Sequence, residues 1–395
     1  MKTVIIHAKI ICEEKIQEGM ALLIDGSYIS AIFPQSELSS YTYDHIIDAE
    51  GCYLSAGFIE LHTHGIHGYD FMDNYPDKLD QTFYDYARFG VTGVFPTTMS
   101  APFEELEEVL QTFQEHDWTR CEGAQFLGVH LEGPYFSPLQ SGAQSAQYML
   151  FPSGGEYRAF LDKFSVIRRW DSAMELEGAL EMASELTQRG IVCGLAHTNA
   201  NASETLTAIQ HGCRVATHLY SGMSSVHRIN GYRYGGTVEG CLLSDKIYTE
   251  AICDGIHLPR ELLQLIYKVK GSNRMCLVTD SMRGAAMPEG SSCILGSSRS
   301  GIEAVISDGV AWLPDRTAFA GSVATFDRLI RTAVSLADIP LASAIKMGTE
   351  TPAALMGLSH KGKVKPGFDA DLILFDSDIR IMLTMVGGTI FYQNE

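Results

Sequence analysis

The chain is expected to fold as an α/β protein, a TIM-like (β/α)8 barrel carrying a small β-sandwich domain built from both termini. Three observations carry this expectation. Through the middle of the chain, short apolar runs of strand character alternate with amphipathic helical patterns. Both ends are rich in short strands and tight turns. The ends of the middle strands collect His, Glu and Asp, as the mouth of a barrel does when it carries a site.

Composition sets the outer bounds. The 395 residues include 29 Lys+Arg against 48 Asp+Glu, a formal charge of −19, with 46% hydrophobic and 19% charged residues. That is a globular composition, long enough for two or three domains or one barrel with an appendage. The acidic balance excludes a general nucleic-acid or anionic-membrane surface, while leaving room for a small anion in a locally positive pocket. Nine cysteines with no Cys-x-x-Cys pair fit a reducing compartment. The opening alternation breaks at Glu13-Glu14-Lys15, too early for a signal peptide, and no run has 18 apolar residues. A cytoplasmic protein with no membrane partner is expected.

In chain order, Thr3–Ile11 alternates as a strand, and Met20–Ile24 and Tyr28–Phe33 form a hairpin around Asp25-Gly26. Eight strands follow at Leu54–His64, Thr92–Thr98, Gln125–Glu132, Val166–Met174, Ile191–His197, Arg214–Leu219, Tyr248–Asp254 and Met275–Asp280. Between them Phe103–Glu115, Glu177–Arg189, Ala202–His211 and Pro259–Tyr267 have helical periodicity. Residues 288–320 have turn-rich β character and suit an insertion over the barrel. Ala370–Phe375 and Thr384–Tyr392 return to strands. The β-domain is therefore placed at 1–55 plus 360–395, and the barrel at 56–359.

The polar residues fall where barrel chemistry needs them. The strands end in His62-Thr63-His64, His130-Leu131-Glu132, Ala196-His197, Thr217-His218, Asp254-Gly255-Ile256-His257 and Thr279-Asp280. Residues i and i+2 of a strand face the same way, so His62 and His64 can share one ion. Glu132 is placed to bridge that ion to a second one held by His197 and His218, with Asp280 beside a metal-bound water. A single strand histidine is ordinarily packing material. Six such residues at successive strand ends ask for a common cause. His7, His45, His116, His211 and His360 have no such placement and read as ordinary surface or core residues.

These residues also carry a resemblance. Ala56-Gly57-Phe58-Ile59-Glu60-Leu61-His62-Thr63-His64-Gly65 resembles the first barrel strand of the amidohydrolase superfamily. His130-Leu131-Glu132-Gly133-Pro134-Tyr135-Phe136 closely resembles the strand-3 motif of N-acetylglucosamine-6-phosphate deacetylases. The segments around His197, His218, His257, Asp280 and Ala320-Gly321-Ser322 are similar to that family in order and spacing, as is the closing Gly367-Phe368-Asp369-Ala370-Asp371-Leu372.

The resemblance implies a hydrolase that removes acetyl from N-acetylglucosamine 6-phosphate. A divalent metal (one or two ions per subunit, Zn foremost, with Fe, Mn or Co open) would be held by Glu132, His197 and His218, with His62 and His64 for a second ion. Asp280 would move the water proton to the departing amine. Glu132 would stand in for the modified lysine that other amidohydrolases carry on strand 4, where Arg168-Arg169-Trp170-Asp171-Ser172 has no Lys. The family's loop arginine, which pairs with the sugar phosphate across a dimer interface, implies a homodimer with Arg228 or Arg233 in that role.

Two segments depart from the pattern. Ser141-Gly142-Ala143-Gln144 stands where the family has Lys-Gly-x-His, so Gln144 offers a hydrogen bond without charge. Tyr220-Ser221-Gly222-Met223 replaces Tyr-Asn-Ala-Met, and His227-Arg228-Ile229-Asn230-Gly231 replaces His-Arg-Glu-Pro-Gly. Gln144, Ser221, Gly222, Arg228, Arg233 and His257 are the expected substrate-binding residues. The alternatives are another N-acyl amino sugar, an N-acyl amino acid, a cyclic amide, or a barrel that only binds a sugar phosphate. Retention of Asp280 argues against the last.

Overall fold

The computed structural model describes Met1–Asn394. Both termini contribute to one layered β-unit. Its four-stranded sheet runs Tyr28–Pro34, Met20–Asp25, Lys2–Ile6, His45–Asp48. Its six-stranded sheet runs Thr389–Gln393, Ile381–Val386, Leu372–Phe375, Tyr53–Ala56, Lys9–Cys12, Lys15–Gln17, so three C-terminal strands lie beside three N-terminal ones. Ile5, Ile10, Leu22, Leu54, Leu372 and Leu383 close into a single buried cluster between the sheets, each worth roughly 1.5–3 kcal/mol of burial.

Two terminal expectations need correction. Thr3–Ile11 is two strands, because His7 turns the chain at φ 55° and its Nδ1 lies 2.9 Å from Asp48 Oδ1; each half joins a different sheet. Thr384–Tyr392 spans the turn of a hairpin, with Val386 opposite Thr389 and both Gly387 and Gly388 at positive φ. Alternation over a short window does not reveal a two-residue turn.

The middle of the chain is an α/β barrel of parallel strands. A three-stranded sheet holds Phe58–Thr63, Val91–Pro96 and Gln125–Phe126, and a six-stranded sheet holds Val129–Glu132, Ile167–Ser172, Val192–Leu195, Cys213–Ala216, Tyr248–Ile252 and Met275–Val278. Parallel bridges Thr97–His130 and Thr63–Ser281 join the two sheets at both ends. The expected Leu54–His64 strand divides at Gly57: Tyr53–Ala56 belongs to the β-unit and Phe58–Thr63 to the barrel. A Cβ on Gly57 would run into the Thr92 side chain, so only glycine permits this close passage. Gln125–Glu132 is likewise broken into Gln125–Phe126 and Val129–Glu132.

Helices pack against the outside of these strands. Phe103–Glu115 buries Leu106, Val109, Leu110 and Phe113, a spacing that makes one apolar stripe. Ala202–Gln210 starts in a capping box: Asn201 Oδ1 accepts from Ser203 N at 2.9 Å and Glu204 N at 3.0 Å, and Glu204 Oε2 accepts from Asn201 N at 2.8 Å. The expected insertion is a four-stranded antiparallel sheet, Ser292–Leu295, Ile302–Ser307, Val310–Trp312 and Phe319–Ser322. It is anchored at the last barrel strand, where Ser322 N donates to Asp280 O at 2.9 Å. No helix among the described residues is long and apolar enough to cross a membrane.

Candidate active site

The strand ends bring six of the expected residues into one cluster. His62, His64, Glu132, His197 and His218 are all buried, and the Asp280 side chain is 14% exposed. Glu132 stands at the centre. Its Oε1 lies 3.0 Å from His218 Nε2 and 3.3 Å from His197 Nε2. Its Oε2 lies 3.4 Å from His64 Nε2 and 3.7 Å from His62 Nε2. Asp280 Oδ1 completes the second group, 3.2 Å from His64 Nε2 and 3.4 Å from His62 Nε2.

The backbone aims these side chains. His197, His218 and Asp280 have φ of 43°, 32° and 46°, a left-handed conformation rare for such residues. Each follows immediately or closely on the end of a parallel strand, where the turn swings its side chain into the mouth. Strain of this kind persists when the surroundings over-determine it, and it concentrates at functional sites. Gly222 serves the same purpose: a Cβ there would sit 2.7 Å from His197 Nδ1.

Every imidazole is held by an acceptor behind it. His197 Nδ1 faces Gln140 O at 2.7 Å, His218 Nδ1 faces Ser221 O at 3.1 Å, and His64 Nδ1 faces Thr97 O at 3.3 Å. His62 Nδ1 faces the Glu250 carboxylate, Oε2 at 3.3 Å. Acceptor-only partners require the proton on Nδ1, so each Nε2 turns a lone pair toward the cluster when an ion is bound.

This donor set fits a divalent metal. His62, Glu132 and His218 form one group with ligand atoms within 4.8 Å of one another, and His62, His64 and Asp280 form another. His62 Nε2 is buried without a hydrogen-bond partner. The charges show the same need. Burial opposes ionisation of Asp280, but His62, His64 and His218 hold it down to about 2. Burial likewise opposes Glu132, and the surrounding histidines hold it well below the carboxylate range. The histidines move the other way: burial opposes the charged form, yet Asp280 and Glu132 raise His62, His64 and His218. Carboxylates and imidazoles here push one another toward their charged forms, and a cation bound among them would take over the balancing of the two carboxylates.

A cavity of about 200 Å³ opens over the cluster, lined by Gln144, Ser221, Gly222 and His257 among the expected substrate contacts. The insertion and its connecting turn supply Leu295, Ala318, Phe319 and Gly321 to its wall. His257 is oriented by Asp254, Nδ1 to Oδ2 at 2.7 Å, and packs on Phe319 with ring centroids 4.8 Å apart. Gln144 points at the cluster: its Nε2 donates to Glu132 Oε2 at 2.8 Å and its Oε1 accepts from Ser100 N at 2.8 Å. Both ends of the amide are engaged, which makes it a support for Glu132 as well as a wall of the cavity.

Arg228 and Arg233 do not line this cavity within one chain, as an arginine offered across a dimer interface would not. They pair across an exposed hairpin, His227–Ile229 with Tyr232–Tyr234, directly opposite one another. No Lys or Arg among the described residues lines the cavity.

Beneath the cluster lies a polar layer that strand-end reasoning overlooked. Arg169, Asp171 and Glu250 are fully buried inside the barrel. Arg169 Nε and Nη2 grip Asp171 at 2.9 and 2.8 Å, and its Nη1 donates to Glu250 Oε1. His130 Nε2 meets Asp171 Oδ2 at 2.8 Å. Burial raises the Glu250 carboxyl, but Arg169 and His62 outweigh it and hold the group at about 2. Burial pushes Glu60 up to about 8, leaving a neutral acid at this level. The available signal was charge inside apolar strands, with Glu60 and His62, or Arg169 and Asp171, in the same strand phase.

The pattern of the amidohydrolase family matches residues 53–391. The N-acetylglucosamine-6-phosphate deacetylase of Haemophilus influenzae is 31% identical over 98% of this chain and 99% of its own. The N-acetylgalactosamine-6-phosphate deacetylase of Escherichia coli O157:H7 is 31% identical over 85% of this chain and 86% of its own. The crystal structure of N-acetylglucosamine-6-phosphate deacetylase from Pasteurella multocida superposes with a TM-score of 0.90 at 30% identity, covering 100% of both chains.

Proposed function

The chain belongs to the amidohydrolase family, and within it to the N-acetylglucosamine-6-phosphate deacetylases; from that premise we propose that it hydrolyses N-acetylglucosamine 6-phosphate to glucosamine 6-phosphate and acetate. The observation that carries this reading is Glu132 standing between two histidine groups, with Asp280 at the mouth. His62, His64, Glu132 and Asp280 would hold one divalent ion, and Glu132, His197 and His218 another. When bound, such an ion acidifies a water and polarises a carbonyl.

The remaining steps belong to the chain's own side chains. Asp280 accepts a proton from the attacking water as its oxygen bonds to the acetyl carbon. It then returns that proton to the sugar nitrogen as the C–N bond breaks, so the amine and acetic acid leave, the acid's own proton passing to the amine to give acetate and the ammonium form. Gln144 keeps the Glu132 carboxylate in place, and His257, fixed by Asp254, faces the sugar. The insertion's Leu295 and Phe319 exclude bulk water from one wall.

The parallel strands are read as one closed (β/α)8 barrel over 56–359, with a β-sandwich domain at 1–55 plus 360–395; the bridges at Thr97–His130 and Thr63–Ser281 support closure. Zinc is the expected ion, and the cytoplasm the expected compartment. The phosphate needs a cation that the cavity itself lacks, which supports a homodimer whose partner copy offers Arg228 or Arg233 from the exposed hairpin.

The galactosamine relative, of the same identity over a shorter share of the chain, supports a second reading, the 4-epimeric sugar phosphate. Steady-state acetate release separates the readings. kcat/KM highest for N-acetylglucosamine 6-phosphate supports the first. A tenfold preference for the 4-epimer establishes the second, and equal rates on the unphosphorylated sugar refute phosphate recognition.

A further inference from the structure

The four site histidines are not held alike. His64, His197 and His218 each rest their Nδ1 on a backbone carbonyl. His62 alone rests on a charged side chain, Glu250, inside the barrel. Its Nε2 has no hydrogen-bond partner and faces Asp280 and Glu132. We propose that Glu250, locked by Arg169, is a positioning residue that presents His62 to a divalent cation. This inference rests on the metal reading above.

Donors and acceptors decide the tautomer. A carboxylate only accepts, so Glu250 compels His62 to carry its proton on Nδ1 and to leave Nε2 free for an ion. An amide at that place can instead donate to Nδ1 and leave a proton on Nε2, directed into the site. Glu250 cannot rotate away from His62, because Arg169 Nη1 engages its Oε1 and Arg169 is itself clamped by both oxygens of Asp171. Thr217 Oγ1 donates to Asp171 Oδ2 at 2.5 Å and closes the layer. A buried Arg between two carboxylates is a costly arrangement to keep in a barrel interior, and an apolar layer would serve packing as well. Its presence is accounted for if it fixes the tautomer of one ligand. Glu250 Oε2 also lies 3.3 Å from the His218 backbone N, so the test must separate the two routes.

The test is a cycle read by cation binding. Zn²⁺ affinity and stoichiometry are measured by chelator competition and elemental analysis in wild type, Glu250→Gln, His62→Asn/His64→Asn, and the combined variant. Wild type is expected to bind two ions, and Glu250→Gln to weaken one of them by about 10–100-fold while sparing the other. In the His62→Asn/His64→Asn background, Glu250→Gln is expected to leave the remaining ion unchanged. Equal weakening in both backgrounds assigns Glu250 to the His218 backbone or to general structure and overturns the proposal. No weakening in the wild-type background overturns it too, as does a wild type whose ion count is unaffected by His62→Asn/His64→Asn. A wild type that binds no Zn²⁺ refutes the metal reading itself. Should Glu250→Gln fail to fold by circular dichroism, Glu250→Asp keeps the charge against Arg169 and withdraws the carboxylate; the same background-dependent loss is expected, smaller in size.

Discussion

Replacing Gln144 with Leu distinguishes the role the structure gives this residue from the one its sequence position suggests. The substitution removes two hydrogen bonds of 2.8 Å, one to Glu132 Oε2 and one from Ser100 N. A hydrogen bond to a charged group is worth about 1.5–3 kcal/mol and a neutral one about 1 kcal/mol. The Ser100 contact bears on stability, and the Glu132 contact bears on the site. If the latter is transmitted to the transition state, kcat/KM falls by about 10–100-fold, at about 1.36 kcal/mol per decade. The loss should fall in kcat, because Gln144 holds Glu132 and only borders the sugar. Initial rates of acetate release over a range of sugar phosphate, at equal metal content, give both constants. A loss carried wholly by KM, or one under about threefold, refutes the positioning role and returns Gln144 to substrate binding.

The other predictions test separate parts of the account. Arg228→Ala or Arg233→Ala is expected to lower kcat/KM by about 10-fold or more on the phosphorylated sugar while leaving the unphosphorylated sugar unchanged, the loss a bidentate phosphate contact would cause; equal losses on both sugars count against phosphate binding. Glu14 accepts from Ser272 Oγ at 2.7 Å, Ser343 Oγ at 2.8 Å and Lys346 Nζ at 3.0 Å, and although burial opposes ionisation these partners lower its carboxyl below the ordinary 4.5. A depressed carboxyl stabilises the fold fully above its unfolded value and loses that contribution as the pH falls through the folded one. Glu14→Gln should therefore cost about 1 kcal/mol or less in urea unfolding at neutral pH, once the exposure of this side chain is allowed for, with the deficit shrinking as the pH falls below the ordinary 4.5; a pH-independent deficit sinks this explanation. Chelation of bound metal should lower the melting temperature together with activity, since an ion at about 100 times its Kd adds about 2.7 kcal/mol of stability. An unchanged melt after complete removal contradicts binding at the buried cluster.

Much of the site was legible because the residues are chemically conspicuous. His62, His64, Glu132, His197, His218 and Asp280 stand at the ends of otherwise apolar strands, and the fold brings all six together. Helix Phe103–Glu115 was equally plain, since its apolar spacing has a single period. The supporting layer was hidden for a physical reason: which of Arg168 and Arg169 points inward depends on register with neighbouring strands, set by pairs such as Arg169 with Val192. Glu250 looked like any charge in a strand until pairing placed it beneath His62. The placement of Arg228 and Arg233 depends on an exposed hairpin, none of whose residues lines the cavity. Local pattern finds what a residue is, whereas long-range pairing decides what it touches.

The central claim is that this cluster cleaves an acetamide with Asp280 as the proton carrier. The direct measurement is acetate release from N-acetylglucosamine 6-phosphate by the zinc-loaded chain, beside Asp280→Asn brought to the same metal content. The account predicts turnover by the wild type and a loss of at least about 10²-fold in the variant. A metal-replete wild type that releases no acetate, or a variant that turns over at the wild-type rate, contradicts it.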